Sequence, residues 1–264
     1  MINRKEDTMP LFSFFGPNSS PKFIMFSTPH VSAIGVLLLF IFALYLWKRR
    51  IRSNRVASSA IRYALVVLLA LTELGLNTWY FTNHLWDVRY TLPLELCSVT
   101  LILSIIMLLT RSKKLYQILY FAGIAGAFQA LITPNLAYGY HHFRYFEYFI
   151  AHGAIVLSPL YMTWVEQYKP TWKSIGWSLL FLNALAVVVG SVNYVLGSNY
   201  MFLNHKPDTA SALDLLGPYP YYLLAEEGVA LLFFVGMYTL FFVFPNRRKK
   251  RLALESITTK GVES

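Results

Sequence analysis

The chain holds a single cysteine, Cys97, so no disulfide forms within it and pairing says nothing about redox compartment. Charge is scarce as well: 14% of the 264 residues are Asp, Glu, Lys or Arg, against roughly 25% in an ordinary soluble domain. Such a composition excludes a disordered chain and argues against a water-soluble fold. The sequence has no Gly-rich phosphate loop, no G-x-S-x-G elbow and no H-E-x-x-H pair, so no cofactor is expected. No low-complexity tract or internal repeat is visible, which weakens the case for an inverted-repeat transporter. The opening stretch "MINRKEDTMPLFSFFGPNSSPKF" is too short in apolar length to read as a cleaved signal peptide.

Apolar residues make up 56% of the chain. They fall in seven segments, at 31–47, 58–82, 93–110, 115–133, 145–164, 175–195 and 219–244. A bilayer core needs about 20 such residues per helix. The expectation is an all-α polytopic membrane protein with seven transmembrane helices at 31–244. An extracytoplasmic segment precedes them at 1–30 and a basic tail follows at 245–264. The formal charge of +10 is not spread as a nucleic-acid-binding face. Its basic residues gather in "KRRIRSNR", "RSKK", "EQYKPTWK" and "NRRKKR", whereas the remaining loops hold only Arg89, Arg144 and Lys206. Positive loops stay in the cytoplasm, which puts the N-terminus outside and the C-terminus inside, in the cell membrane. Trp and Tyr in "NTWYF", "YGYHHFRYFEYF" and "YPYY" fall at the outer interface, where amphipathic rings prefer to sit.

The depth of the polar residues is the next signal, because ionisable groups inside a membrane usually face the bundle interior or water. Glu73 and Asn77, four apart, share a face of the second segment, and Tyr80 continues it. Glu95 and Cys97 open the third segment. Gln129 lies near the outer end of the fourth, Glu147, Tyr148 and His152 in the outer half of the fifth, Asn193 at the outer end of the sixth, and Glu226 and Glu227 in the outer half of the seventh. The inner halves offer little beyond Asn183. The pattern predicts an outward-opening polar cavity closed below by an apolar plug. Glu226 and Glu227 are about 100° apart on a helix and do not both face one narrow cavity.

Cys97 and His152 are the two residues fit for nucleophilic catalysis, since a thiolate attacks and a nearby imidazole generates it. With Pro93 in the first helical turn, Cys97 is expected about 6 Å into its span, too deep to gain much from the helix N-terminus. Glu95, about 200° away around the helix, is the poorer helper, while Tyr148, one turn above His152, is placed to orient it. Asn77 or Gln129 would stabilise an oxyanion. Arg144 and Glu147, three apart, are expected to form an interfacial pair. His141, His142, His152 and Glu147 fit no standard zinc spacing, so no metal is expected.

The stretches "LPLELCS" (92–98) and "HHFRYFEYFIAHG" (141–153) resemble those of the YwaF-like family of bacterial integral membrane proteins, over roughly residues 30–245. That family is similar to the eukaryotic transmembrane-protein-164 family, itself akin to membrane-embedded lipid hydrolases. The resemblance implies acyl transfer on phospholipids, with Cys97 as the acyl-accepting nucleophile, His152 as its general base and membrane lipids as partners. Beside this enzyme reading stand two others. One is a transporter or channel using Glu73, Glu147 and Glu226 or Glu227. The other is a receptor-like protein with an outward ligand pocket.

Overall fold

A computed structural model describes residues 14–17, 21–207 and 212–245; the basic stretch "NRRKKR" lies outside them. The described chain is all-helical: α1 Thr28–Ser53, α2 Arg55–Thr82, α3 Leu96–Thr110, α4 Lys113–Leu119, α5 Ala122–Ile132, α6 Phe143–Trp164, α7 Trp172–Leu196 and α8 Tyr221–Tyr238. A π-helical turn, Thr239–Val243, continues α8. Two 3-10 turns, Tyr200–Phe202 and Ala212–Leu216, lie between α7 and α8.

Several boundaries differ from those expected of the sequence, each for a local reason. The basic stretch after the first apolar segment is helix, and only Asn54 separates α1 from α2. The Asn54 side chain caps α2 by accepting from the N–H groups of Val56 and Ala57, at 2.9 and 3.1 Å. Arg50 and Arg52 stand in the last turn of α1, where cations suit the helix dipole. The fourth segment breaks at Tyr120–Phe121 into α4 and α5. There the Phe121 N–H bonds the Ile118 carbonyl at 3.2 Å, and the Ser178 hydroxyl of α7, 2.8 Å from the Ser174 carbonyl of its own helix, also lies 3.2 and 3.4 Å from the Ile118 and Gln117 carbonyls. The third segment begins later than expected: Pro93 lies in the turn before α3, and the helix starts at Leu96.

Five stretches are long and apolar enough to cross a membrane: α1, α2, α4 with α5, α7, and α8 with its π turn. α3 is an apolar helix of 15 residues, about 22 Å long at 1.5 Å per residue. α6 is longer, at 22 residues, and carries Arg144, Glu147 and His152. It is the buried helix of the bundle. α1, α2, α3 and α5 all pack on it, and small residues at 151, 153 and 154 let them approach. The outer faces of α1 and α7 present Leu38, Leu39, Phe40, Val187 and Val188 to the surroundings. Apolar outer faces of this extent are what a lipid environment demands.

The two ends of the bundle differ. At the aromatic end, Phe23 and Gly139 backbone N–H groups bond to Ala137 and Pro21 across an isolated bridge. Gly139 is required there, because a Cβ would stand 2.8 Å from the Pro21 carbonyl oxygen. His30, fully buried, accepts from the Phe26 N–H and donates to the Leu131 carbonyl. At the basic end, the Tyr116 hydroxyl meets Thr163 and the Tyr168 carbonyl, and the Tyr168 hydroxyl donates to the Arg111 carbonyl.

Candidate functional site

Cys97 is the second residue of α3, half-buried against the core. This corrects the deeper position expected from a helix starting at Pro93: the thiol stands in the first turn, where the peptide dipoles act most strongly. Glu95 is the N-cap residue but makes no side-chain cap bond. Its carboxylate instead accepts from the Met201 N–H at 3.1 Å, tying the α7–α8 connection to the start of α3. The first helical bond runs from the Val99 N–H to the Glu95 carbonyl. The N–H groups of Leu96, Cys97 and Ser98 therefore have no partner among the described residues, and they belong to the same first turn as the thiol.

α6 packs against α3 and carries both Tyr148 and His152. The Tyr148 side chain is close enough to Cys97 to interact with it electrostatically, and its hydroxyl donates to the Ala130 carbonyl at the end of α5, at 2.9 Å. Its ring also lies 4.1 Å, centroid to centroid, from that of His152. Nδ1 of His152 is 2.7 Å from the Tyr148 carbonyl oxygen. A carbonyl only accepts, so the proton is on Nδ1, and Nε2 carries the lone pair with no partner among the described residues. Tyr148 thus touches one candidate group and neighbours the other.

One turn above, the Arg144 guanidinium pairs with Glu147, as the spacing predicts, but in a buried setting rather than at the surface. It also lies over the rings of Trp79 and Tyr80, at 5.8 and 5.6 Å. Glu73 is within electrostatic reach of both members of the pair. The Asn77 amide is committed to the Glu73 carbonyl and carboxylate, at 2.9 and 3.1 Å. It is therefore taken, not free to meet an oxyanion. His142 caps α6 by accepting from the Arg144 N–H on Nδ1, while its Nε2–H donates to the Gly16 carbonyl. Burial holds its pKa below the ordinary imidazole range.

Other residues expected in the cavity lie elsewhere. Gln129 is exposed. Asn193 is buried and fully used: its oxygen accepts from the Ser198 hydroxyl and the Tyr200 N–H, and its amide donates to the Tyr200 carbonyl. It is a clasp for the turn after α7. Glu227 accepts from Asn183 of α7 at 2.7 Å. Glu226 shares a face with Tyr222 on α8, a helix packed on α5, α7 and the Ala212–Leu216 turn. Among the described residues, no three His, Cys, Asp or Glu side chains gather as a metal-ligand set. Sequence reasoning missed the free N–H groups of α3; the signal was Glu95, a residue poor at capping, immediately before the apolar run.

The sequence model of the TMEM164 family matches residues 25–238, a span that contains every helix described above. No curated protein and no solved structure matches the chain significantly.

Proposed function

The chain belongs to the TMEM164 family, and from that premise we propose that it is a multi-pass enzyme of the cell membrane that moves or hydrolyses lipid acyl groups through Cys97 and His152. The observation that carries this reading is the place of Cys97. It stands in the first turn of α3 among unpaired N–H groups, on a helix packed against the one that holds His152. α3 and α6 complete seven spans in this reading. The basic end faces the cytoplasm by the positive-inside rule, so Cys97 and His152 work near the outer headgroup boundary.

The chemistry follows from the groups. Nε2 of His152 takes the Cys97 proton, and the thiolate adds to the carbonyl carbon of an acyl ester. The Leu96, Cys97 and Ser98 N–H groups offer donors for the oxyanion, the role first given to Asn77 or Gln129. Collapse breaks the ester C–O bond. The lipid alkoxide leaves with the proton from the imidazolium, and the acyl group remains as a thioester on Cys97. A second lipid hydroxyl, or water, then attacks the thioester and gives its proton to His152; the thiolate leaves and regains that proton as the thiol. Tyr148, through its carbonyl, keeps Nδ1 protonated and so acts as a positioning residue.

An acyl-lipid probe that labels reactive thiols in membranes tests the reading. Wild-type protein is expected to be labelled at Cys97 and to exchange acyl chains between phospholipid and lysolipid, with Cys97→Ala abolishing both. Unchanged labelling and lipid composition in Cys97→Ala and His152→Ala membranes would remove the enzyme reading. Solute flux that depends on Glu73 and Glu147 but ignores Cys97 would replace it with transport.

A further inference from the structure

We propose that the cleft between α4 and the α6–α7 connection binds the phosphate of an anionic lipid headgroup in the leaflet at the basic end. The cleft has a volume of about 150 Å3 and is lined by Lys113, Tyr116, Gln117, Gln167, Tyr168 and Lys169. That lining is cationic and amide-rich and contains no carboxylate. Lys113 and Lys169 are exposed, and neither forms an ion pair among the described residues. The acid closest in sequence, Glu166, is engaged by Arg111 at 3.5 Å and by the Tyr161 hydroxyl at 3.4 Å. Its charge is therefore answered elsewhere, and the two ammonium groups have no acidic partner among the described residues.

The cleft is built rather than incidental. Its two walls are fastened by the Tyr116 hydroxyl, 2.9 Å from Thr163 and 3.2 Å from the Tyr168 carbonyl. The Tyr168 hydroxyl reaches back to the Arg111 carbonyl at 2.8 Å, and the Tyr168 N–H bonds the Met162 carbonyl at 3.0 Å. Lys113 lies over the Tyr168 ring at 5.4 Å, which holds its ammonium at the cleft. These bonds all join residues of the chain itself, so the cleft is held in shape by its own contacts.

Its depth selects the source of the phosphate. The cleft is lined by the first turns of α4 and by the connection that leads into α7, whose own first two turns carry the exposed Trp172 and Trp177, residues that favour the headgroup region. Basic pockets between helices at that level are suited to anionic headgroups, each cation contributing through the surface potential and direct contact. The volume fits a phosphate group with its waters and not an acyl chain, so this is a headgroup site distinct from the chemistry at Cys97. It does not depend on the acyl-transfer reading.

The full chain, reconstituted in nanodiscs of phosphatidylcholine with and without a minor fraction of phosphatidylglycerol, tests this, with retained lipid identified by native mass spectrometry. Wild type is expected to retain phosphatidylglycerol preferentially. Lys113→Gln and Lys169→Gln should each lower that preference about five-fold, and the corresponding Arg substitutions should largely preserve it. Arg49→Gln with Arg52→Gln, at the same end but outside the cleft, should leave it unchanged. Inorganic phosphate, in a separate arm, should not displace the lipid. The proposal is overturned if the double Lys→Gln variant keeps its full preference or if the Arg49/Arg52 variant loses it equally. Displacement by inorganic phosphate would also overturn it, by making the cleft a free-phosphate site.

Discussion

Two groups of polar residues occupy the aromatic half of the bundle and meet different fates. Those on α2 and α6 converge: Arg144 pairs with Glu147, Tyr148 stacks near His152, Glu73 interacts electrostatically with Arg144, and Tyr148 does so with Cys97 in the first turn of α3. Those on α5, α7 and α8 do not. Gln129 faces outward, Asn193 clasps its own turn, and Glu226 belongs to a helix that packs on α5 and α7. Equal depth along a helix is therefore no guide to shared location. The angle at which each helix meets its neighbours decides which of these groups share a site.

That contrast is open to direct attack. The largest effect is expected at His152: replacing it by Ala should lower acyl transfer by about 10²–10⁴-fold, the range of a positioned general base. Glu226→Gln, from the second group, should leave turnover where it is. A fall with Glu226→Gln equal to that with His152→Ala would merge the two groups. Next, Arg144→Gln strands Glu147 and should destabilise the fold by about 3–5 kcal/mol, as breaking a buried pair does. Thermal unfolding in detergent measures this, and Arg144→Gln with Glu147→Gln should recover most of it. Little loss in the single variant would show that the pair is solvated. Asn193→Ala removes three hydrogen bonds from the second group and should cost about 2–3 kcal/mol while sparing thiol labelling at Cys97. Loss of labelling in a folded Asn193→Ala protein would tie the clasp to the site. The smallest change is expected for Gly139→Ala. Its Cβ meets backbone oxygen, so the bridge to Pro21 must loosen, at about 1–2 kcal/mol. Hydrogen exchange at the Phe23 and Gly139 amides reads that opening.

Much of the first group was visible in the sequence, but its internal order was not. The spacing of Arg144 and Glu147 predicts their pairing because residues three apart on a helix are neighbours. Nothing in that spacing says that α2 would bury the pair under Trp79 and Tyr80. Cys97 shows the opposite error. A proline at 93 reads as a first helical turn, yet the chain spends 91–95 in turns and uses Glu95 to hold the Met201 N–H, which moves the helix start to Leu96. The thiol thereby gains the unpaired N–H groups that a helix start leaves. The break at Tyr120–Phe121 was equally hidden in the apolar run, and it lies against a serine sixty residues away.

By itself, the sequence determined the helical, membrane-spanning character of this protein and the approximate place of each apolar segment. Those follow from run length and from the cost of exposing backbone polar groups to lipid, which are local properties. It also predicted a depth for each polar group from the fixed rise per residue, and at Cys97 that reckoning was off because α3 starts at Leu96. Only the tertiary structure decided which of them meet, where α3 begins and which histidine nitrogen keeps its lone pair. The first two depend on contacts between distant parts of the chain, and the third on a bond inside α6, from His152 Nδ1–H to the Tyr148 carbonyl.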